Sequence, residues 1–264
     1  MRFENASKIV GDVAIELGLG TQTSPYTSQD PAIVQLRTLL NSSGKLLYGM
    51  PIVWEQLIRQ HSFTTSAGKT QYKLPSDFGY MIDQTQWTTG QSAGPIGLPS
   101  MTNQEWGYLQ AWDLNSVQLW ASFRQTRGVI DIYPSTVAAG IGVTFDYVSR
   151  AWAIPSGEWT NMENADNAAD AQAIWTQYAT EEVDGAGDLV LFEPTVISRL
   201  LKMKWLQAKG FDSTGAVAEF ETALTAHTGR NKPRKVLDLN RNYGRNSFIT
   251  NSNLPYTNYG ADDV

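Results

Sequence analysis

The sequence predicts an α+β protein in which helices from both ends of the chain form one bundle with a β-rich insertion. Apolar residues recur at helical spacing before residue 61 and again between residues 189 and 229. From residue 62 to about residue 153 the apolar period changes to two, as in half-buried strands. We therefore predict three parts: a helical bundle of residues 1–61 and 189–229, a hairpin- or sandwich-like insertion of residues 62–188, and an extended C-terminal arm of residues 230–264.

The N-terminal part contains the start and stop signals of helices. A first helix is predicted over residues 6–17, and Gly18 ends it. Asp30 can cap a second helix, since the proline after it fits the first helical position, where no amide hydrogen is required. The apolar stripe of this helix continues past Pro51, which lacks an amide hydrogen and must kink or break it. We predict separate helices over residues 31–49 and 51–60.

The insertion contains turn signals between short apolar runs. Phe63–Thr65 and Gln71–Leu74 flank the turn Ala67-Gly68-Lys69, which predicts a hairpin. The runs "VQLWASFR" and "GVIDIYPS" flank "QTRG" as a second hairpin, and "GVTFDYVSRAW" alternates like a single strand. Thr102 and Glu105 have the spacing of a capping box at the start of a short helix.

Two further helices are predicted to complete the bundle. The first begins at Pro194 and ends at Gly210, and the second continues to just before Gly229. Between the β-rich segment and these helices lies an acidic stretch, residues 155–188, with no convincing period until "DLVLFEP". We expect most of that stretch to be a solvated loop.

Composition and charge exclude several kinds of protein. The chain has no cysteine, so disulfides, thiolate chemistry and cysteine-bearing zinc sites are excluded. We expect neither a signal peptide nor a membrane span, because no apolar run is long and uninterrupted enough. The net charge is −6, but six basic and three acidic side chains from Gly229 onward give that part +3 and leave −9 for residues 1–228. An acidic body argues against a general nucleic-acid binder.

No catalytic, cofactor or metal site is predicted. His61 falls at a predicted helix end and His227 on an apolar helical stripe, and no G-x-S-x-G motif accompanies them. "GLGTQT" follows a helix, where a dinucleotide-binding turn would follow a strand. The carboxylate pair of a glycoside hydrolase remains an alternative, because the sequence alone does not show which two carboxylates lie across a cleft. The acidic stretch lacks the spacing of a calcium loop, and its carboxylates are Glu163, Asp166, Asp170, Glu181, Glu182, Asp184 and Asp188.

Aromatic residues give two candidate contact surfaces. The cluster of Trp106, Tyr108, Trp112 and Trp120 fits a core or subunit interface, or else an exposed platform on which sugars stack. The tail mixes basic and aromatic side chains with many asparagines, which is a weak pattern for nucleic acid. We predict instead that the tail is an arm that contacts a protein partner through Arg230, Arg234, Lys235, Arg241, Tyr243, Arg245, Phe248 and Tyr256.

Several motifs occur in an order that is characteristic of one family. They are "IVGDVAIELGLG…DPAIVQLRTLLNSSGKLL", "WEQLIRQHSFTTSAGKTQYKLPSDF", "FRQTRGVIDIYP", "FDYVSRAW", "DLVLFEPTVISRLLKMKWLQAKGFD" and "AVAEFETAL". This ordered set resembles the head-to-tail adaptor, or connector, proteins of short-tailed bacteriophages. The resemblance extends from about residue 5 to residue 228 and does not include the stretch 155–188 or the tail after Arg230.

The resemblance implies a structural protein of the virion, made in the host cytoplasm. Family members form a ring of about twelve copies that docks beneath the portal at the capsid–tail junction. The ring extends the channel through which DNA passes without sequence-specific binding, and it attaches tail nozzle or fibre proteins. No catalytic residue, cofactor or membrane contact is implied. The alternatives are a carbohydrate- or receptor-binding tail module and a glycoside or peptidoglycan hydrolase.

Overall fold

Both helices and strands form in the structure, a computed structural model, which agrees with the predicted α+β class. Residue contacts divide the chain into Met1–Asn231 and Lys232–Val264, and the residues described below all belong to the first unit. The structure describes residues 3–21, 23–89, 98, 100–111, 122–126, 128–133, 139–163, 173–175 and 177–231.

Several helices begin or end where local signals place them. Asp30 accepts a hydrogen bond from the amide of Ala32 at 2.8 Å, and Gly210 ends a helix with φ of +73°. Thr102 and Glu105 form the predicted capping box, with bonds of 2.8 and 3.2 Å between amide and side chain in the two directions. The helices are α1 (Ala6–Glu16), α2 (Pro31–Gly49), α3 (Asn103–Ala111), α4 (Ser156–Glu163), α5 (Pro194–Lys209) and α6 (Thr214–Asn231).

Three antiparallel sheets contain the strands. Their orders are β1–β10–β9, β2–β8–β4 with β5 also on β8, and β3–β7–β6. The strands are β1 (Glu4–Asn5), β2 (Ile58–Thr64), β3 (Gln71–Lys73), β4 (Phe78–Met81), β5 (Trp87–Thr89), β6 (Ser122–Thr126), β7 (Val129–Tyr133), β8 (Gly142–Ser149), β9 (Ala153–Ile154) and β10 (Leu189–Val190).

The predicted helix over residues 51–60 is wrong. The backbone is already extended at Met50, a single 3₁₀ turn covers Glu55–Leu57, and strand β2 follows. All seven residues of β2 pair with β8, from Ile58 opposite Val148 to Thr64 opposite Gly142. This pairing outweighs the helical apolar pattern, because the residues of β2 gain backbone hydrogen bonds and side-chain contacts with β8. The sequence around residues 51–60 contains no sign of that distant strand.

The first predicted hairpin has the right turn but the wrong partners. Gly68 takes φ of +74°, and the amide of Lys69 donates to the carbonyl of Ser66 at 3.1 Å. However, β2 pairs with β8 and β3 pairs with β7, so this turn leads the chain from one sheet into another. The second predicted hairpin is confirmed, because Thr126 of β6 lies opposite Val129 of β7 and Gly128 takes φ of +77°.

Two further boundaries differ from the sequence prediction. The acidic stretch contains helix α4 and a helical turn at Trp175, so it is more regular than a solvated loop. Helix α6 continues through Gly229 to Asn231, because a single glycine weakens a helix without ending it.

Two apolar cores organise the described residues. In the first, α1 packs against α2 and α5, and α5 packs against α6. The second lies between the sheets β2–β8–β4 and β3–β7–β6, with Phe123, Ile130 and Ile132 on one side and Val143 and Phe145 on the other. Both cores belong to one contact unit, and the division of the chain into three parts stays a prediction.

Gly44 lies at a close contact between helix α2 and the rest of the first core. It lies in the middle of α2, and a Cβ atom there would overlap three ring atoms of the fully buried Trp152. Gly49, in the last turn of the same helix, has no atom within 4 Å of the corresponding position. The two glycines therefore form a matched pair for a test of this packing.

We expect Gly44→Ala to lower the free energy of unfolding by about 2 kcal/mol, because overpacking outweighs the gain in helix propensity. Gly49→Ala should leave it unchanged or raise it by up to about 1 kcal/mol. Urea unfolding followed by circular dichroism measures both variants. Equal stability of Gly44→Ala and Gly49→Ala would contradict the close approach of α2 to Trp152.

Candidate functional site

The predicted contact residues of the tail lie almost entirely beyond the described part of the chain. Arg230 belongs to the last turn of α6. Arg234, Lys235, Arg241, Tyr243, Arg245, Phe248 and Tyr256 lie outside the described residues, so the partner-binding arm stays a prediction.

An ion-pair network joins the helices of the two chain ends. Arg199 of α5 contacts Glu16 of α1 at 2.7 Å and Glu219 of α6 at 3.2 Å. Lys202, one turn further along α5, contacts the same two carboxylates at 3.4 and 3.2 Å. Each side chain is partly exposed, so a single pair contributes little stability. The two cations and two carboxylates balance each other and fix the three helices relative to one another.

Trp54 connects the end of α2 to the C-terminal half of α6. Its indole Nε1 donates to the carbonyl of Leu47 at 2.9 Å, and its ring stacks on His227 with centroids 5.1 Å apart. Phe192, which precedes α5, packs edge-on to the same indole at 5.0 Å. His227 therefore has a packing position within the first core, as its place on an apolar stripe predicts.

His61 lies on β2, where the sequence predicted a helix end. Its ring packs edge-on to Phe145 with centroids 5.4 Å apart. Burial lowers the pKa of His61 below its usual value, and the carboxylate of Asp77 opposes that shift in part. Folding therefore favours the neutral form of the imidazole.

A buried polar cluster that the sequence did not predict surrounds Asp77. Its carboxylate accepts hydrogen bonds from the hydroxyls of Tyr147 at 2.9 Å and Ser149 at 2.6 Å. Ser149 is fully buried and donates to a carboxylate, so its hydroxyl is not placed as an accessible nucleophile. The string "LPSDF" gave only a turn signal, because the hydroxyl partners come from β8, some seventy residues further along the chain.

Arg59 places a cation next to this cluster. Its guanidinium lies over the ring of Trp175 at 3.1 Å from the centroid, and its Nη1 donates to the carbonyl of Ile58. Its Nε and Nη2 atoms are buried and have no hydrogen-bond partner in the described part of the chain. Burial lowers the pKa of Arg59 to about 9, although Tyr147 and Asp77 oppose the shift. The stack attaches the acidic stretch to β2.

A second polar cluster lies on the sheet β3–β7–β6. Asp131 accepts hydrogen bonds from Gln71 at 2.9 Å, Arg124 at 3.0 Å and Thr126 at 2.7 Å. Burial of Asp131 opposes ionisation, but these three donors outweigh it and lower its pKa. Arg124 also lies over the ring of Trp106 at 4.6 Å, which ties α3 to the sheet.

The position of Trp106 does not fit the sugar platform that the sequence offered as an alternative. Trp106 is only 5% exposed, and Arg124 occupies one face of its ring. Tyr108 is 60% exposed, whereas Trp112 and Trp120 lie outside the described residues. The core interpretation of Trp106 is the correct one.

The carboxylates of the acidic stretch are used within the fold. Glu181 pairs with Arg150 at 3.3 Å and Glu182 with Lys45, while Asp188 accepts the amide hydrogens of two preceding residues. Nowhere in the described residues do three or more His, Asp or Glu side chains come close enough to hold a metal ion. The side chain of Glu163 and residues 166 and 170 lie outside the described part.

No helix within the described ranges combines the length and the apolar character that crossing a membrane requires.

Comparison with known proteins identifies no family. No protein-family model matches the sequence, and a search of curated proteins gives no significant match either. The resemblance to adaptor proteins therefore stays a prediction based on the order of the motifs.

The lowered pKa of His61 predicts a pH dependence of stability. The unfolded chain binds a proton at this residue near pH 6.5, and the folded chain only at a lower pH. The contribution of His61 is therefore present above the unfolded pKa and is lost as the pH falls below it. The difference in free energy of unfolding between wild type and His61→Gln should shrink between about pH 7.5 and about pH 5. Parallel stability curves over that range would contradict the assignment.

Asp77 should matter more to stability than either hydroxyl that it binds. Asp77→Ala removes the carboxylate that the hydroxyls of Tyr147 and Ser149 both bind and whose charge favours the ionised form of Arg59, so we expect a loss of about 3 kcal/mol. Ser149→Ala, the control, leaves Asp77 bound to Tyr147 and should cost about 1 kcal/mol. Guanidinium unfolding measures both losses, and a loss in Asp77→Ala no larger than that in Ser149→Ala would refute the central position of Asp77.

Proposed function

We propose that this protein is a head-to-tail adaptor of a short-tailed bacteriophage. In this proposal it is a structural protein of the virion that forms a ring beneath the portal, extends the DNA channel and attaches tail nozzle or fibre proteins. The finer architecture belongs to the same proposal. Helices α1, α2, α5 and α6 form the bundle that builds the ring, and the β-rich segment is an insertion that projects from it.

The observation that supports this proposal most is the contact between the two ends of the described chain. Helix α1 packs against α2 and α5, and Glu16 shares Arg199 and Lys202 with Glu219 of α6. Helices joined in this way form a rigid unit that can contact a neighbouring copy on each side. It is therefore suited to stand next to copies of itself around an axis.

Exposed apolar side chains on the helical part suit contacts between copies. A head-to-tail contact that repeats around an axis closes into a ring, in which modest interfaces reinforce one another. Contacts between copies use apolar side chains that a single subunit leaves exposed, and a contiguous patch of them marks such a site. The large apolar side chains exposed on or next to these helices are Ile15 of α1, Val34 and Leu46 of α2, Val53 after α2 and Phe211 after α5.

The charge of the chain suits a channel that lets DNA slide. Residues 1–228 carry a net charge of −9, and affinity for DNA depends on cations that neutralise phosphates. An acidic lining therefore does not hold the duplex during packaging or ejection. The basic tail, by contrast, is suited to a protein partner of acidic character.

Assembly with the portal protein tests the proposal directly. Mixing the full chain with its portal should give a particle whose mass, measured by native mass spectrometry, corresponds to about twelve copies on the portal. A chain that ends after Asn231 should keep the helical content and melting temperature of the full chain, but should lose portal docking, because it lacks the arm.

The end point of that truncation follows from the structure. Helix α6 runs to Asn231, so a chain that ends at Gly229 would lose part of the last turn of this helix. A loss of docking in that chain would not separate damage to the helix from absence of the arm. Docking of the Asn231 truncation at the affinity of the full chain would refute the role of the arm. A full chain that forms no particle with the portal would refute the adaptor function itself.

A further inference from the structure

The adaptor proposal assigns no role to the outer face of the sheet β2–β8–β4. Successive residues of a strand point to opposite faces, and Val143, Phe145 and Tyr147 of β8 point into the second core. Thr144 and Asp146 of β8 therefore point away from that core. Side chains directly opposite Thr144, Asp146 or Val148 on neighbouring strands share this face. What we call the outer sheet face consists of Thr144, Asp146 and the exposed side chains among those partners, which are Gln60, Ser62, Tyr80 and Trp87.

Two aromatic rings lie exposed at separate points of the outer sheet face. Trp87 of β5 is 41% exposed and lies opposite Thr144, and Tyr80 of β4 is 39% exposed and lies opposite Val148. Their partners on β8 are four residues apart, which places the two rings about 13 Å apart along the strand. One extended ligand of about that length can contact both rings.

Polar side chains and Ile82 lie between the rings. The amide of Ile82 donates to the carbonyl of Asp146 at 3.0 Å, and the side chain of Ile82 packs against the first core. Asp146 lies between the rows of Thr144 and Val148, and Gln60 of β2 lies opposite it with its Nε2 atom 3.4 Å from the carboxylate. Ser62 and Thr144 add hydroxyls in the row of Trp87. The face thus offers carboxylate and amide acceptors together with hydroxyls that both donate and accept.

The charge on this face restricts the kinds of ligand that fit. Asp146 is the only charged side chain among the described residues that the strand register places there. Without a lysine or arginine, the face does not attract phosphate or other anionic groups. A protein interface is also a poor fit, because the centre of such an interface is depleted of charge and Asp146 lies at the centre of this face.

We propose that the outer sheet face binds a neutral glycan. A pyranose ring has apolar C–H faces, which stack on Trp87 and Tyr80, and a rim of hydroxyls, which donate to Asp146 and Gln60. Aromatic rings give large contact area at low entropic cost, since only two torsions must be fixed. The spacing of the two rings suits a short run of sugars with one unit on each ring and at least one between them.

The full chain can be tested on an array of bacterial polysaccharides, neutral and anionic, with bound protein read by fluorescence. We expect the wild type to retain at least one neutral polysaccharide. Trp87→Ala and Tyr80→Ala should each weaken that binding about ten-fold in a titration with the soluble polysaccharide. Tyr108→Ala removes an exposed aromatic ring elsewhere and serves as the control, with affinity unchanged.

The alternative results would overturn the proposal. The proposal is overturned if the wild type retains no neutral polysaccharide or retains only anionic ones, or if Trp87→Ala binds with full affinity. It is also overturned if the wild type self-associates and Trp87→Ala abolishes that association. Because Trp87 and Tyr80 are exposed, both variants should keep the melting temperature of the wild type. Portal docking of Trp87→Ala should match that of the wild type, so a failure here is distinguishable from a failure of the adaptor proposal.

Discussion

Strand β8 pairs along its whole length, with β2 on one side and with β4 and β5 on the other. Its alternate residues point into the second core, and Val148, near its end, belongs to the first. One strand thus belongs to both cores and fixes the position of three others. A slip of β2 by one residue against β8 would move Phe63 out of the second core, because it turns every side chain of the shifted strand to the opposite face.

The buried charges of this protein serve packing in the same region. Asp77 and Asp131 each accept hydrogen bonds from side chains of neighbouring elements, and Arg59 stacks on Trp175. Burying a charge is unfavourable unless other groups compensate for lost water, and these clusters supply that compensation to different degrees. Asp131 is fully engaged, whereas two nitrogen atoms of Arg59 have no hydrogen-bond partner in the described part. Arg59 is therefore the less well compensated of these groups.

The adaptor proposal and the glycan proposal depend on different parts of the chain. The first depends on helices α1, α2, α5 and α6, where the ends of the described chain meet around one core. The second depends on the side chains that β2, β4, β5 and β8 turn away from the other core. Helical packing and an exposed sheet face can coexist in one subunit, although Val148 and Ile82 of the sheet pack against the first core.

The sequence by itself determined three helix ends and the turns at Gly68 and Gly128, because Asp30, the Thr102–Glu105 box and Gly210 act on atoms within a few residues of themselves. It also determined the α+β class, through the change of apolar period. Only the tertiary structure decided the partners of β2 and β3, the strand in place of the helix over 51–60, and the buried environment of Asp77. Those outcomes depend on residues 56 to 90 positions apart, and a local pattern contains no information about which distant strand supplies the hydrogen bonds.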